Sequence, residues 1–265
     1  MNNLRISLVQ GETRWHDPAG NREYYGELIA PLHGITDLVL LPETFTSGFS
    51  NDAIENAETM DGPTVAWMRE QAAALDAAIT GSVQIRDAGK VFNRMLFVTP
   101  SGDVRHYDKR HLFRYAHEHE RYAAGSERLT LEWKGWRICP LVCYDLRFPV
   151  YSRNRFDVER PGELDYDLAL YVAYWPAARA YPWKTLLRAR AIENLCYVAG
   201  LNRVGTDGNG HRYSGDSAVL DFVGEPLSEC ADMEVVATTT LSMERLRAHR
   251  EHFPAMLDAD AFELR

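Results

Sequence analysis

Hydrophobic and polar positions along this chain follow two different periods, which predicts strands and helices in succession. Residues 4–10 alternate apolar and polar side chains, as a half-buried strand does, whereas residues 37–41 form a continuous apolar run typical of a strand covered on both faces. The same patterns predict further strands at 78–85, 91–99, 104–107, 136–142, 168–174, 195–201, 216–222 and 235–241. Strong helix formers predict helices at 21–33, 64–78, 183–194 and 243–251.

Strands with helices between them indicate an α/β protein. The turn at 100–103 joins two strands into a hairpin, and the last strands along the chain imply further antiparallel pairing. Two mixed sheets accommodate about eleven strands better than one open sheet does. We therefore expect two mixed sheets with helices outside them. Residues 1–265 should form a single domain, with a core at about 4–241 and a C-terminal helix and tail at 242–265.

Composition narrows the class of protein. Hydrophobic residues make up 46% and charged residues 25% of the chain, which argues against disordered, collagenous and coiled-coil proteins. The 29 basic and 38 acidic residues give a net charge of −9, so we expect no nucleic-acid partner. The longest apolar run, 168–178, is shorter than the roughly 20 residues of a membrane span, and the N-terminus lacks a signal-peptide pattern. The four cysteines then predict reduced thiols in a cytoplasmic protein.

Several signatures of other protein classes are missing. The sequence contains no GxGxxG opening a helix, no GxxxxGK[ST], no GxSxG and no HExxH. The His-Glu-His run at 117–119 lies in an aperiodic stretch without spaced partners. Cys139 and Cys143 lie in a strand-like run rather than on the turns of a zinc site. We therefore expect neither a metal nor another cofactor.

Three chemically capable residues, Glu43, Lys109 and Cys143, each come where a predicted strand gives way to a loop. Catalytic side chains collect at strand ends in α/β proteins. Glu43 could take the proton of the Cys143 thiol, and Lys109 with the backbone N–H of Tyr144 could hold an oxyanion. The patterns alone leave another interpretation open, because buried cysteines are commonly core residues and strand-end Glu or Lys side chains are commonly solvated.

The segments around these residues resemble the three signature blocks of the nitrilase, or carbon–nitrogen hydrolase, superfamily. The blocks are LPETFTSGFS around Glu43, YDKRHLF around Lys109 and LVCYDLRFP around Cys143, in the family's order, and the likeness runs from Leu4 to about Leu241. The resemblance implies a four-layer αββα sandwich and a cofactor-free triad. In that triad Glu43 is the general base, Lys109 the oxyanion-stabilising residue and Cys143 the nucleophile. The resemblance also implies a homodimer or a higher homo-oligomer.

A second glutamate often follows the lysine in this family. Glu118 fits that place best and Glu120 is the close alternative, while a solvated loop glutamate is the other interpretation of both. We expect residues 109–125, which carry both glutamates, to form a long ordered loop.

The residues after the nucleophile separate branches of the family. CYDLRFP resembles the amidase branch that includes omega-amidases, rather than nitrilases with a CWE motif. DKRHLFRYAHEHERYAAG and AYWPAAR resemble the bacterial omega-amidase group, although AYWPAAR departs from the animal enzymes. The resemblance implies hydrolysis of the terminal amide of 2-oxoglutaramate or 2-oxosuccinamate through a Cys thioester. The alternatives are a nitrile, carbamoyl or deaminated peptide amide substrate, or a non-catalytic interaction module on the same fold.

A substrate of this kind carries a carboxylate, which the planar guanidinium of arginine can bind through two hydrogen bonds. Arg147 and Arg179 are the candidates, and a structural ion pair or a subunit contact is the other interpretation of each. Trp175 and Phe49 are candidates for the pocket wall, although aromatic residues more often belong to the core.

The three other cysteines show no evident chemistry in the sequence. Cys139 and Cys196 lie in apolar strand-like runs and are predicted to be structural. Cys230 follows a glutamate in a turn, and we expect it to be exposed.

Overall fold

The computed structural model describes residues 3–156 and 164–263. Their strands are β1 (Asn3–Gln10), β2 (Leu38–Leu40), β3 (Ala78–Asp87), β4 (Lys90–Val98), β5 (Val104–Asp108), β6 (Leu131–Trp133), β7 (Trp136–Val142), β8 (Leu168–Ala173), β9 (Tyr197–Asn202), β10 (Val204–Thr206), β11 (Arg212–Ser214), β12 (Ala218–Leu220), β13 (Pro226–Glu229) and β14 (Val235–Ser242). The helices are α1 (Pro18–Ile29), α2 (Pro63–Leu75), α3 (Glu118–Arg121), α4 (Pro149–Ser152), α5 (Ala180–Asn194) and α6 (Met243–His252).

Most of these strands lie in two six-stranded mixed sheets, which confirms the predicted architecture. The first sheet has the order β14-β1-β2-β3-β4-β5 and the second the order β13-β12-β9-β8-β7-β6, while β10 and β11 form a separate hairpin. Three central strands run parallel in each sheet, β1 to β3 in the first and β7 to β9 in the second. The carboxyl ends of β2 and β7 lead to Glu43 and Cys143, respectively.

Successive side chains of a strand point to opposite faces of its sheet, and this alternation divides the hydrophobic core into two main clusters. Leu38 and Leu40 of β2 belong to the cluster that contains the strands of the second sheet. Val39 belongs to a separate cluster with residues of α1 and α2, which cover the other face of the first sheet. Helix α5 covers the second sheet so closely that a Cβ added at Gly200 of β9 would lie 2.5 Å from the Leu187 side chain. The layers are therefore helix, sheet, sheet and helix.

Several predicted boundaries are wrong for local reasons. The helix predicted at 21–33 ends at Ile29 and continues as a 3-10 turn, since Pro31 lacks the N–H of a continuing α-helix. The helix predicted at 64–78 ends at Leu75 because Asp76 adopts a left-handed conformation. Leu195 ends α5 in the same way, so the next strand begins at Tyr197 instead of Leu195.

Short elements escaped the sequence patterns. The strands β6, β10, β11 and β13 were not predicted, and each has only three or four residues, too few to show a period. The strand predicted at 216–222 is reduced to Ala218–Leu220. The expected loop at 109–125 contains a 3-10 turn and the single turn of α3. Cys230 is 8% exposed, so the expectation of an exposed thiol is wrong.

No helix within residues 3–156 and 164–263 is both long enough and apolar enough to cross a membrane.

Candidate active site

Cys143 is the first residue of the 3-10 turn that directly follows β7. Its φ of 45° lies in the left-handed region, which typically costs a residue with a side chain about 1–3 kcal/mol. The buried carboxylate of Asp145 holds this turn by accepting hydrogen bonds from the Val142 N–H at 3.0 Å and the His111 N–H at 3.0 Å. The Tyr107 hydroxyl donates a further bond to Asp145 at 2.8 Å. The turn thus displays the thiol at the end of a rigid strand.

Glu43 is fully buried and receives hydrogen bonds on both carboxylate oxygens. Its Oε1 accepts from Lys109 Nζ and from Asn93 Nδ2, each at 2.8 Å. Its Oε2 accepts from the backbone N–H of Tyr174, also at 2.8 Å. These donors fix the orientation of the carboxylate.

Lys109 lies between two buried carboxylates. Its Nζ is 2.8 Å from Glu43 Oε1 and 3.0 Å from Glu118 Oε2. Burial lowers the pKa of the Lys109 ammonium, but the carboxylates of Glu118 and Glu43 together raise that pKa above its ordinary value. Lys109 is therefore a permanent cation at neutral pH.

The structure places Glu118, and not Glu120, beside the lysine. Glu118 is fully buried and also accepts a hydrogen bond from the Phe113 N–H at 2.6 Å. Burial raises its pKa, and Lys109 opposes that shift. The Glu120 side chain is 59% exposed and contacts His117 at 2.9 Å.

The Cys143 thiol is held in its protonated form. Burial, followed by the charge of Glu43, raises its pKa well above the ordinary range, and the Lys109 ammonium opposes that shift only in part. Glu43 is the carboxylate beside this thiol.

Glu43, Lys109 and Cys143 line one cavity of about 490 Å³. This volume is within the usual range of about 300–1,000 Å³ for small-molecule sites. The predicted pocket residues Phe49 and Trp175 also line the cavity. So does Tyr144, whose N–H was predicted as an oxyanion donor. Lining residues that the sequence did not single out are Ser50, Asn51, Phe113, Tyr115, Ala116, Tyr174, Pro176, Ala178, Asp207, Asn209, His211 and Tyr213.

Both candidate arginines reach the same cavity. The Arg147 guanidinium lies 4.9 Å from the centre of the Trp175 ring, and that of Arg179 lies 5.5 Å from the Phe113 ring. The Trp175 Nε1–H donates to the Arg179 carbonyl at 2.8 Å, which ties the two positions together. Neither arginine forms an ion pair with a carboxylate in the part of the chain that the structure describes. Besides the paired ammonium of Lys109, the cavity therefore offers two arginine cations to an anionic ligand.

Comparison with known proteins identifies the family. The profile of the carbon–nitrogen hydrolase family matches residues 5–251. The chain belongs to the carbon–nitrogen hydrolase family. The predicted resemblance and the prediction of a hydrolase for amide C–N bonds are thereby confirmed.

Individual relatives of this carbon–nitrogen hydrolase are similar over all or nearly all of its length. The Escherichia coli K12 protein "Omega-amidase YafV" is 49% identical, and the match covers 100% of both chains. The Bacillus subtilis "2-oxoglutaramate amidase" is 30% identical, with 96% of each chain covered. The crystal structure of XC1258 from Xanthomonas campestris, a CN-hydrolase superfamily protein with an arsenic adduct in its active site, matches with 70% identity, full coverage of both chains and a TM-score of 0.98.

Sequence reasoning missed several residues that contact Glu43, the Cys143 turn or the cavity wall of this carbon–nitrogen hydrolase. Asn93 interrupts a strand of mostly apolar residues, and Asp145 lies inside a quoted signature block without having been assigned a role. Arg203 is fully buried between the rings of Tyr174 and Tyr213, at 4.8 Å and 4.9 Å. An arginine directly after an apolar strand was the available signal for this last contact.

Proposed function

We propose that this chain is an omega-amidase. It hydrolyses the terminal amide of a dicarboxylic acid monoamide, such as 2-oxoglutaramate or 2-oxosuccinamate, to the acid and ammonia. One observation carries the proposal: a single cavity holds Cys143, Glu43 and Lys109 together with two arginines that lack carboxylate partners among the described residues. The similarity to the Escherichia coli omega-amidase and to the Bacillus subtilis 2-oxoglutaramate amidase supports the same substrate class.

The first half of the reaction forms a thioester. Cys143 Sγ attacks the amide carbon while Glu43 takes the thiol proton, and the carbonyl electron pair moves to the oxygen. Lys109 Nζ and the backbone N–H of Tyr144 hold this oxyanion. When the intermediate collapses, the C–N bond breaks and Glu43 gives its proton to the nitrogen, which leaves as ammonia.

The second half consumes water. Glu43 takes a proton from a water molecule as its oxygen attacks the thioester, and the C–S bond then breaks. The departing Cys143 sulfur recovers the proton from Glu43, which restores both groups. Glu118 keeps the Lys109 ammonium in place throughout, because it accepts hydrogen bonds from Nζ at 3.0 Å and 3.1 Å.

The far end of the substrate is bound by its charge. A carboxylate in the cavity would give Arg147 and Arg179 the anionic partner that they lack, and the rings of Trp175 and Phe49 would enclose the carbon chain. A ligand without a carboxylate leaves these cations uncompensated, at a cost of about 1–3 kcal/mol. The expected preference for acidic over neutral amides is therefore about tenfold to a hundredfold in kcat/KM.

The test is ammonia release from a panel of compounds. We expect 2-oxoglutaramate and succinamate to be cleaved much faster than butyramide, a nitrile or a ureido acid, with Cys143→Ala as the inactive control. Equal rates on succinamate and butyramide would remove the basis for an omega-amidase. Preferred cleavage of the nitrile or the ureido acid would favour those substrate classes instead.

Arginine variants locate the specificity. Arg147→Leu and Arg179→Leu should shrink the preference for succinamate, and lysine at either position should restore it only partly because the planar fork is lost. Arg188→Leu on α5 is the matched control, since Arg188 pairs with Glu229 and does not line the cavity. Unchanged selectivity in both cavity variants would contradict this role of the arginines and leave the triad untouched.

We also propose that the protein works in the cytoplasm as a homodimer or higher homo-oligomer, on the strength of the family resemblance and four buried cysteines without disulfides. Light scattering during size-exclusion chromatography tests the assembly. A molar mass near the 30.2 kDa of one chain would contradict it.

A further inference from the structure

Asn93 contacts both carboxylates of the buried cluster and the backbone of its lysine. It lies on β4, is 1% exposed, and donates from Nδ2 to Glu43 Oε1 at 2.8 Å and to Glu118 Oε1 at 3.3 Å. Its backbone carbonyl accepts the N–H of Lys109 at 3.0 Å. One neutral side chain thus bridges two carboxylates that would otherwise repel each other.

The orientation of the Asn93 amide follows from the contacts of its two ends. A rotated amide would place Oδ1 against the oxygens of Glu43 and Glu118, so the donor end must face them. Oδ1 is then buried without a hydrogen-bond partner among the residues that the structure describes. An unpaired buried acceptor such as Asn93 Oδ1 lowers the free energy of unfolding, so this arrangement costs the fold some stability.

The hydrogen bonds distinguish the two oxygens of the base. A carboxylate oxygen has two lone pairs. Lys109 and Asn93 occupy both on Glu43 Oε1, whereas Oε2 accepts a single N–H, that of Tyr174, among the residues that the structure describes. Oε2 therefore keeps a lone pair that can take a proton, and the Cys143 thiol lies beside this carboxylate, whose charge raises the pKa of the thiol.

We propose that Asn93 is a positioning residue that reserves Oε2 of Glu43 for proton transfer and bridges the carboxylates of Glu43 and Glu118 beside one lysine. This inference rests on the proposed amidase mechanism and deepens it. Asn93 contributes by saturating Oε1, so the Cys143 proton moves to the one oxygen with a free lone pair and returns from that oxygen to the leaving nitrogen.

Two variants test the role of Asn93 through the pH profile. Asn93→Ala removes the donor, and Asn93→Asp keeps the volume but adds a third negative charge. Both should lower kcat about tenfold to a hundredfold and change KM by less than about threefold. The acid limb of the kcat/KM profile should move to higher pH in Asn93→Ala and further in Asn93→Asp, because the buried carboxylates then hold protons more strongly.

Asn154→Ala is the matched control. Asn154 is 3% exposed and donates to the backbone carbonyls of Tyr166 and Asn194, away from the cavity. This variant should lose stability and keep the acid limb of wild type. A comparable shift in Asn154→Ala would mean that the limb reports general destabilisation, which would overturn the inference.

A second measurement does not depend on turnover. The rate of Cys143 alkylation by iodoacetamide, followed against pH by peptide mass, should show the same displaced acid limb in the Asn93 variants. If Asn93→Ala fails to fold, the isosteric Asn93→Asp decides the outcome. Acid limbs that coincide with wild type, or effects confined to KM, would overturn the positioning role. If the acid limb of Cys143 alkylation is displaced in the Asn93 variants but the enzyme cleaves no omega-amide, the positioning role stands and the proposed substrate is rejected.

Discussion

Replacing Lys109 by Met removes the cation from the buried cluster while keeping most of the side-chain length. Lys109 is 1% exposed, and both Glu43 and Glu118 are fully buried at 2.8 Å and 3.0 Å from its Nζ. Removing one partner of a buried ion pair typically costs about 3–5 kcal/mol. Because domains are stable by only about 5–15 kcal/mol, we expect Lys109→Met to lose a large part of its free energy of unfolding.

The pH dependence of that loss has a definite sign. The pKa of Lys109 is raised above its ordinary value of 10.5, so its stabilising contribution is complete below pH 10.5 and is lost only at higher pH. The pKa of Glu118 is raised by burial, so its protonation favours the folded state at low pH. Without Lys109, proton uptake by the carboxylates relieves their repulsion. The variant should therefore be less destabilised at about pH 5 than at about pH 8.

Kinetics and urea unfolding test this reasoning together. Loss of an oxyanion donor should lower kcat and kcat/KM together by about 10²–10³. Lys134→Met is the control, since Lys134 pairs with Asp37 at a side-chain exposure of 43% and should change stability by only about 0–1 kcal/mol. A Lys109→Met enzyme with raised KM and intact kcat would make Lys109 a binding residue. Destabilisation no larger than that of the control would refute the electrostatic argument.

Three further predictions concern the second glutamate, the nucleophile turn and the intermediate. Glu118→Gln should lower kcat at least about tenfold because Lys109 loses one of its anchors, whereas Glu120→Gln, at an exposed site, should stay within about twofold in ammonia-release assays. Asp145→Asn should destabilise the fold by about 1–3 kcal/mol in urea unfolding and slow Cys143 alkylation, since an amide serves the four hydrogen-bond contacts of this carboxylate poorly. Acid quenching during turnover should trap the thioester and add the mass of the acyl group to the Cys143 peptide. Activity that vanished with a chelator and returned with a metal would contradict this covalent, cofactor-free route.

The sequence predicted the architecture because the strand patterns are long and regular. Residues 4–10 and 168–174 coincide closely with β1 and β8, and the alternation in β2 separates the two clusters of the core. The two strands of the β10–β11 hairpin, with three residues each, carry no comparable signal. Their hairpin nevertheless provides Tyr213 of the cavity wall.

The identity of the second glutamate could not be decided from composition, because Glu118 and Glu120 are the same residue type two positions apart. His117 has a φ of 57°, and the turn that follows it directs Glu118 inward and leaves Glu120 at the surface. Asn93 was equally hidden. Its role depends on long-range contacts with Glu43 and Lys109, which no local pattern encodes.

The antiparallel pairing of β14 with β1 has a consequence for how the protein is made. All eight residues of β1 pair with β14, so Asn3 lies opposite Ser242 and Gln10 opposite Val235. During synthesis the edge of β1 has no neighbour on that side until almost the whole chain has left the ribosome. An unpaired strand edge can recruit other chains, so the nascent protein is most prone to aggregate before β14 emerges. A premature stop before Val235 should therefore give insoluble product rather than a weakened enzyme.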